Sequence, residues 1–363
     1  KLVIYCAFST DVCESAKKLF RKLTLAAKVF IGVCMLKKED ALKDRNEIKK
    51  RATGALIGLA VGDSFGDASR MQANRENYGF ITDFSAGSAW STDDTEFALL
   101  TAKTLIRCKG RLTSEEVVKS WMEDVVVQDE YKRGGASEKA AADNLRAGLL
   151  PPLTGKYSTF NTSDGSAMRI PPIGIMCAGD PEKAAALAQI ESEISHAGDG
   201  VWGAQAVAAA VAVAMADGTI DEIFEAAMAP IPQDSWLYYS MTKVFEIIEK
   251  ENYDIASCWM KIHDATRAST WATTAEAVPA AFGCLKLMHK DFKSAVLLAG
   301  NFARDADTIG AIAGSVMGAK YSIDGIPEHW VKKVRYPSGT CLQFTKGLDI
   351  IEIAEKLAEL NYV

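Results

Sequence analysis

Residues 54–66 read GALIGLAVGDSFG, and residues 304–319 read RDADTIGAIAGSVMGA. Both are built from Gly, Ala and branched aliphatics, with their charges gathered at one end. Small residues let helix axes approach closely, which suits helices buried on every side. The first stretch is expected to be a close-packed helix ending in a loop at Gly62-Asp63-Ser64-Phe65-Gly66, a pentapeptide that equally suits a simple helix C-terminal turn. The second is expected to start a buried helix at its acidic end.

Working outward, helical patterns recur near 95–108, 114–128, 136–148, 181–190, 199–216, 220–229, 235–250, 254–265, 275–289, 292–300 and 306–319. Period-2 alternation is scarce, and only residues 2–8 suit a short strand. Pro-Pro pairs at 151–152 and 171–172 bracket a loop-rich stretch. No internal repeat or low-complexity tract is evident. The fold class expected is all-α, one compact multi-helix body over 52–363. Residues 1–51 precede it as a basic extension, with Ser9-Thr10-Asp11 capping a helix that continues to about Leu36 and a charged helix or linker over 37–50.

The chain has 363 residues, 48% of them hydrophobic and 24% charged, which are globular values. Its net charge of −6 offers no general basic surface for nucleic acid. The charge is uneven: residues 1–50 carry twelve Lys/Arg against six Asp/Glu, so the remainder is strongly acidic. The eight cysteines form no CxxC pair, and several lie in apolar company, as small buried thiols of a reducing compartment do. The longest apolar run, 201–216, is short, Ala-rich and holds Gln205, so it reads as a core helix and not a membrane span. The start of the chain lacks a signal-peptide pattern. These features place the protein in the cytoplasm, with no membrane and no nucleic acid among its partners.

Two acidic segments stand out: Trp90-Ser91-Thr92-Asp93-Asp94-Thr95 and Arg304-Asp305-Ala306-Asp307-Thr308. For either alone, helix capping is explanation enough, since Ser, Thr and Asp satisfy first-turn N–H groups. Together they offer four carboxylates and two Thr hydroxyls next to helices that should be buried. Buried carboxylates repel one another unless a cation neutralises them. An all-oxygen donor set selects hard cations such as Mg²⁺ or Mn²⁺. Asp63 suits an acceptor behind such ligands.

The same residues resemble a known family. GDSFG, STDDT, GSAMRIPPIG at 165–174, ISHAGD at 194–199 and DADTIG, in this order over about 52–330, are similar to the ADP-ribosylglycohydrolases, which include ADP-ribosylarginine and ADP-ribosylserine hydrolases. The resemblance implies an all-α body with a central dinuclear cleft for two Mg²⁺ or Mn²⁺ ions. It assigns Thr92, Asp93 and Asp94 to one ion and Asp305, Asp307 and Thr308 to the other, with Asp307 bridging. It places Gly165, Ser166, Ala167, Met168 and Arg169 around a diphosphate and distal ribose, and His196 near the ligand. The implied activity is hydrolysis of the bond between ADP-ribose and a protein side chain, arginine favoured, with Asp93, Asp94 and Asp305 in catalysis and Asp94 assisting the attacking water.

Two departures from the pattern matter. The family often has a Glu four residues after its GDxxG motif, on a mobile loop over the scissile bond; here that position is Arg70, which cannot act as a base. Its Asn before the GSAMR-like sequence is Asp164 here. Residues 1–50 lie outside the resemblance. They suit either an extra helix on the body or an arm docking an acidic partner. Immunity proteins that oppose ADP-ribosyltransferase toxins resemble the second plan, which gives an alternative function: binding and inhibiting such a transferase, with hydrolysis secondary or absent.

Overall fold

The computed structural model describes residues 39, 41–84, 90–128 and 134–363. The expected strand at 2–8, the capped helix to Leu36 and most of the basic arm lie outside the described residues. Among those described, the chain is helical, with no strand beyond an isolated bridge between Ser163 and Thr273.

The long helix Arg45–Arg70 is capped by Asp44, whose carboxylate accepts from the Asn46 and Glu47 N–H groups. It begins ahead of the boundary expected at 51/52. It also runs straight through GDSFG, where a loop or C-terminal turn was expected. The reason is tertiary: Gly62 to Asp67 are all buried, and Asp63 finds partners on a neighbouring segment.

This helix lies antiparallel against the helix Ala306–Tyr321, with Gly54, Gly58, Gly62 and Gly66 facing Gly318, Gly314, Gly310 and Ala306. The glycines recur every fourth residue, so they form one stripe on each helix. A Cβ at any of the four in the first helix would stand 1.9–2.2 Å from a backbone carbonyl oxygen of the second. The backbones therefore touch directly, a closer approach than the usual 8–10 Å between axes. The pair ends where Gly66 meets Ala306, which brings Asp63, Asp67 and Arg70 to Asp305 and Asp307.

The helix Asp199–Met215, which includes the Ala-rich run, is buried along almost its whole length. Around it and the glycine-striped pair the core gathers Phe97, Trp121, Phe282, Phe292 and Trp330, each almost wholly buried. The expected helix over 114–128 begins as α-helix at Ser114–Trp121 and continues as one π-helical turn, Met122–Val126. The five described cysteines are free thiols, four of them buried. No helix among the described residues is long and apolar enough to cross a membrane.

Candidate active site

Side-chain caps are common in this fold: Asp44, Thr113, Asp180, Ser235, Asp254, Asp291 and Asp349 each accept from the first turn of their helix. The two acidic segments differ. Thr92 and Asp305 occupy N-cap positions of the helices Asp93–Arg107 and Ala306–Tyr321, yet neither makes a side-chain cap. Capping therefore does not account for these residues. Thr92 instead places its hydroxyl 2.7 Å from Asp63 Oδ1 and 3.1 Å from Asp94 Oδ2. Asp63 also accepts from the backbone N–H groups of Thr92 and Thr95, at 3.0 and 3.2 Å. It thus fixes the start of the acid-bearing helix from behind.

Glu96 anchors the other side of that turn. Its carboxylate accepts from Ser91 Oγ and from the N–H groups of Thr340, Cys341 and Leu342 at 2.6–3.0 Å. Ahead of Asp305 the backbone takes left-handed angles at two non-glycine residues, Ala303 and Arg304, with φ of 70° and 56°. Such strain persists only where surrounding contacts hold it. Here Arg304 grips Glu276 through Nε and Nη2 at 2.6 and 2.9 Å and binds the Ala268 carbonyl. The same contacts fasten the loop that carries Thr270 and Trp271. That loop is tied further by hydrogen bonds between residues 162–164 and 272–274.

These elements enclose a cavity of about 450 Å³, within the size range of small-molecule sites. Asp93, Asp94, Asp164, Asp305 and Asp307 all face it, joined by Thr308, Arg70 and Glu138. Of the residues the sequence singled out, Thr92 and Asp63 stand directly behind this wall. Gly165 and Met168 reach the cavity, but Ser166, Ala167 and Arg169 do not line it. Ser166 donates to the Gly200 carbonyl. Arg169 is fully buried, paired with Glu138 and Glu191 at 2.9 Å each and donating to Ser195 Oγ. It braces the cavity wall from within. His196 is buried behind the wall between Ser163 Oγ and Ser195 Oγ. It does not line this cavity.

The electrostatics are lopsided. Burial pushes Asp93, Asp94 and Asp305 well above the ordinary carboxylate range, and neighbouring carboxylates add to it: Glu138 and Asp307 for Asp93, Asp307 and Asp63 for Asp94, Asp164 and Asp307 for Asp305. Burial takes Asp63 and Asp164 up to about 7. Against all these stands the Arg70 guanidinium, 2.9 Å from Asp305, 2.6 and 2.7 Å from the two oxygens of Asp307, and 3.1 Å from Asp67. Two buried oxygens in the cluster, Asp94 Oδ1 and Asp164 Oδ2, have no hydrogen-bond partner. Unpaired buried carboxylate oxygens are costly without a cation. The donor chemistry therefore fits a hard, oxygen-loving ion beside Asp94 and Asp164.

Glu138 carries no signal in the sequence as a site acid, and Asp164 stands out there only as a departure, either a like charge near phosphate or an extra metal-side acceptor. A lone acid in a loop or on a helix looks like solvated surface, and only the tie between residues 162–164 and 272–274 turns Asp164 inward.

Comparisons with known proteins bear on the family and the fold. The family model for ADP-ribosylglycohydrolases matches residues 44–363. The chain is 27% identical over 317 residues to the ADP-ribosylarginine hydrolase Tri1 of Pseudomonas putida, covering 84% of this chain and 77% of that protein. It is 24% identical over 300 residues to the ADP-ribosyl-[dinitrogen reductase] glycohydrolase of Rhodospirillum rubrum, covering 79% and 91%. A solved structure from an ADP-ribosylglycohydrolase-related protein complex superposes with a TM-score of 0.62 at 19% identity, over 87% of this chain and 99% of that one, and so shares the fold. A family match spanning nearly the whole described chain, on a helical body with that fold, shows that this protein belongs to the ADP-ribosylglycohydrolase family.

Proposed function

We propose that the protein removes ADP-ribose from modified arginine side chains of other proteins, with the help of a hard divalent cation. The observation that carries this reading is that Asp93, Asp94, Asp164, Asp305 and Asp307 face one cavity and, among the described residues lining it, Arg70 alone brings a guanidinium against them.

Cleavage of a ribosyl bond passes through an oxocarbenium-like state with positive charge on the sugar. Carboxylates fixed in a water-poor cavity stabilise such charge without reorganising. They also suit an arginine-linked substrate, whose guanidinium is cationic before cleavage and leaves with the bonding electron pair as neutral guanidine, passing its positive charge to the sugar. Asp94, steadied at Oδ2 by Thr92, is placed to orient an attacking water. Asp63 keeps that arrangement in place through Thr92 and Thr95.

For the diphosphate the cavity offers backbone N–H groups beside the Asp93 and Glu138 carboxylates. The N-terminus of the helix Ala136–Arg146 opens into the cavity at Gly134 to Ser137, and its N-cap is Gly135 with no side-chain cap. Free N–H groups in a first helical turn receive phosphate well. Trp271 and Phe160, 53% and 46% exposed on the cavity wall, offer flat faces for the adenine.

Thr92, Asp93, Asp94 and Thr308 offer oxygen donors for Mg²⁺ or Mn²⁺, and Asp305 and Asp307 add theirs only where Arg70 releases them. When bound, such an ion holds ribose hydroxyls and lowers the pKa of a water. The arginine linkage draws support from the printed name of the Pseudomonas relative and from the acidity of the cavity. Incubation with an arginine-ADP-ribosylated protein tests the reading through released ADP-ribose. Release should stop with a chelator and fall at least ~10²-fold in Asp94→Asn. Undiminished release by Asp94→Asn would reject its role.

A further inference from the structure

We infer that Arg70 takes the place of one divalent ion in this cavity, so that the protein binds one ion fewer than its carboxylates otherwise allow. The inference rests on reading the cavity as the reaction site.

The sequence puts Arg70 one turn beyond GDSFG, and the fold continues the helix far enough to carry its side chain back over the acids. There the guanidinium sits among them as a cation would. Nη1 bridges Asp305 Oδ1 and Asp307 Oδ1 at 2.9 and 2.7 Å, Nη2 meets Asp307 Oδ2 at 2.6 Å, and Nε and Nη2 both reach Asp67 Oδ1. Both oxygens of Asp307 are thus engaged by one planar fork, a bidentate grip that a guanidinium makes and an ammonium does not. Trp271 closes the open side, its ring centroid 5.3 Å from the guanidinium carbon. Asp67 is held in turn by Trp90, whose Nε1 donates to its other oxygen at 2.6 Å.

For Asp305 and Asp307 to ligate an ion together, they must release these bonds. The oxygens of Asp67, Asp305 and Asp307 are spread round the guanidinium instead. Beside this grip the balance is reversed: Asp94 Oδ1 and Asp164 Oδ2, in cavity-lining residues at most 3% exposed, are buried without a hydrogen-bond partner. Arg70 serves one half of the cluster with a charge that never titrates at working pH. The other half is left for one ion.

Counting Mn²⁺ at saturation tests this, by equilibrium dialysis with elemental analysis, on the wild-type full chain and on Arg70→Met and Arg70→Gln. Circular dichroism identifies which variants are folded. The expected result is one ion per wild-type chain and two per folded variant. Two ions on the wild type, or equal counts on wild type and folded variants, would overturn the inference. Should neither variant fold, the wild-type count decides: one supports it and two overturns it. A wild type that binds none while a variant binds one or more would uphold Arg70's role and instead sink the metal-dependent hydrolase reading.

Discussion

Substituting Gly62 with Ala asks whether the glycine stripe sets the geometry of the acidic cluster. The added Cβ would lie 1.9 Å from the Gly310 oxygen, 2.1 Å from its carbonyl carbon and 2.6 Å from the Ala311 nitrogen. All three are backbone atoms and cannot rotate away. Real Cβ contacts essentially never fall under 3.0 Å, so the helices must part locally by about 1 Å. Overpacking of this kind costs about 1–3 kcal/mol and more against rigid neighbours. Ala returns about 1 kcal/mol in helix propensity. The net expectation is a loss of about 2 kcal/mol, a fall of roughly 3 °C in Tm. Because Asp63 follows directly and Asp307 lies across from it, ADP-ribose release should fall at least ~10-fold even at temperatures where the variant is folded. Thermal unfolding followed by circular dichroism, with an activity assay well below the midpoint, reads both effects. A raised Tm with full activity would show that propensity wins and refute the close-contact account.

Three further outcomes follow from other contacts. Arg169→Met leaves Glu138 and Glu191 buried without their cation, so unfolding free energy should drop by about 3–5 kcal/mol in denaturant titration. Burial and the nearby Arg169 hold His196 well below its ordinary 6.5, so it stays neutral when folded. The unfolded chain takes up that proton below 6.5, so the stability His196 contributes is whole above this pH and declines as pH falls, by up to about 1.4 kcal/mol per unit; His196→Gln should flatten that limb of a stability–pH profile. Trp271→Ala removes an exposed ring from the cavity wall and should raise KM about 10-fold for ADP-ribosylated protein while leaving Tm within ~2 °C, a split that steady-state kinetics and thermal melts separate.

Much of the site was legible because its acids come in two short local clusters, and because the helices that follow them are too apolar to be solvated. What capping and catalysis share in sequence, though, only tertiary structure separates: Thr92 and Asp305 stand at N-caps yet cap nothing with their side chains. The loop expected at GDSFG is helix because Asp63 accepts hydrogen bonds from Thr92 and Thr95 and Asp67 from Trp90, partners more than twenty residues away that no local signal shows. The four-residue glycine spacing at 54, 58, 62 and 66, matched at 310, 314 and 318, was a signal that could have paired the two helices beforehand. Arg169 lay in a segment associated with the ligand but spends its charge inside the wall, since two buried glutamates require it. Arg70 was visible as the wrong residue for a base. Its three carboxylate partners came only with the fold.

The central claim is that the buried carboxylates cleave ADP-ribose from arginine. The direct measurement compares ADP-ribose released from arginine-linked and serine-linked modified proteins, with Mg²⁺ or Mn²⁺, by the wild type and by Asp305→Asn/Asp307→Asn. The account predicts release from the arginine-linked protein, little from the serine-linked one, and loss of activity in the double variant. Equal release by the double variant, or no release from the arginine-linked protein by folded, metal-loaded wild type, would contradict it.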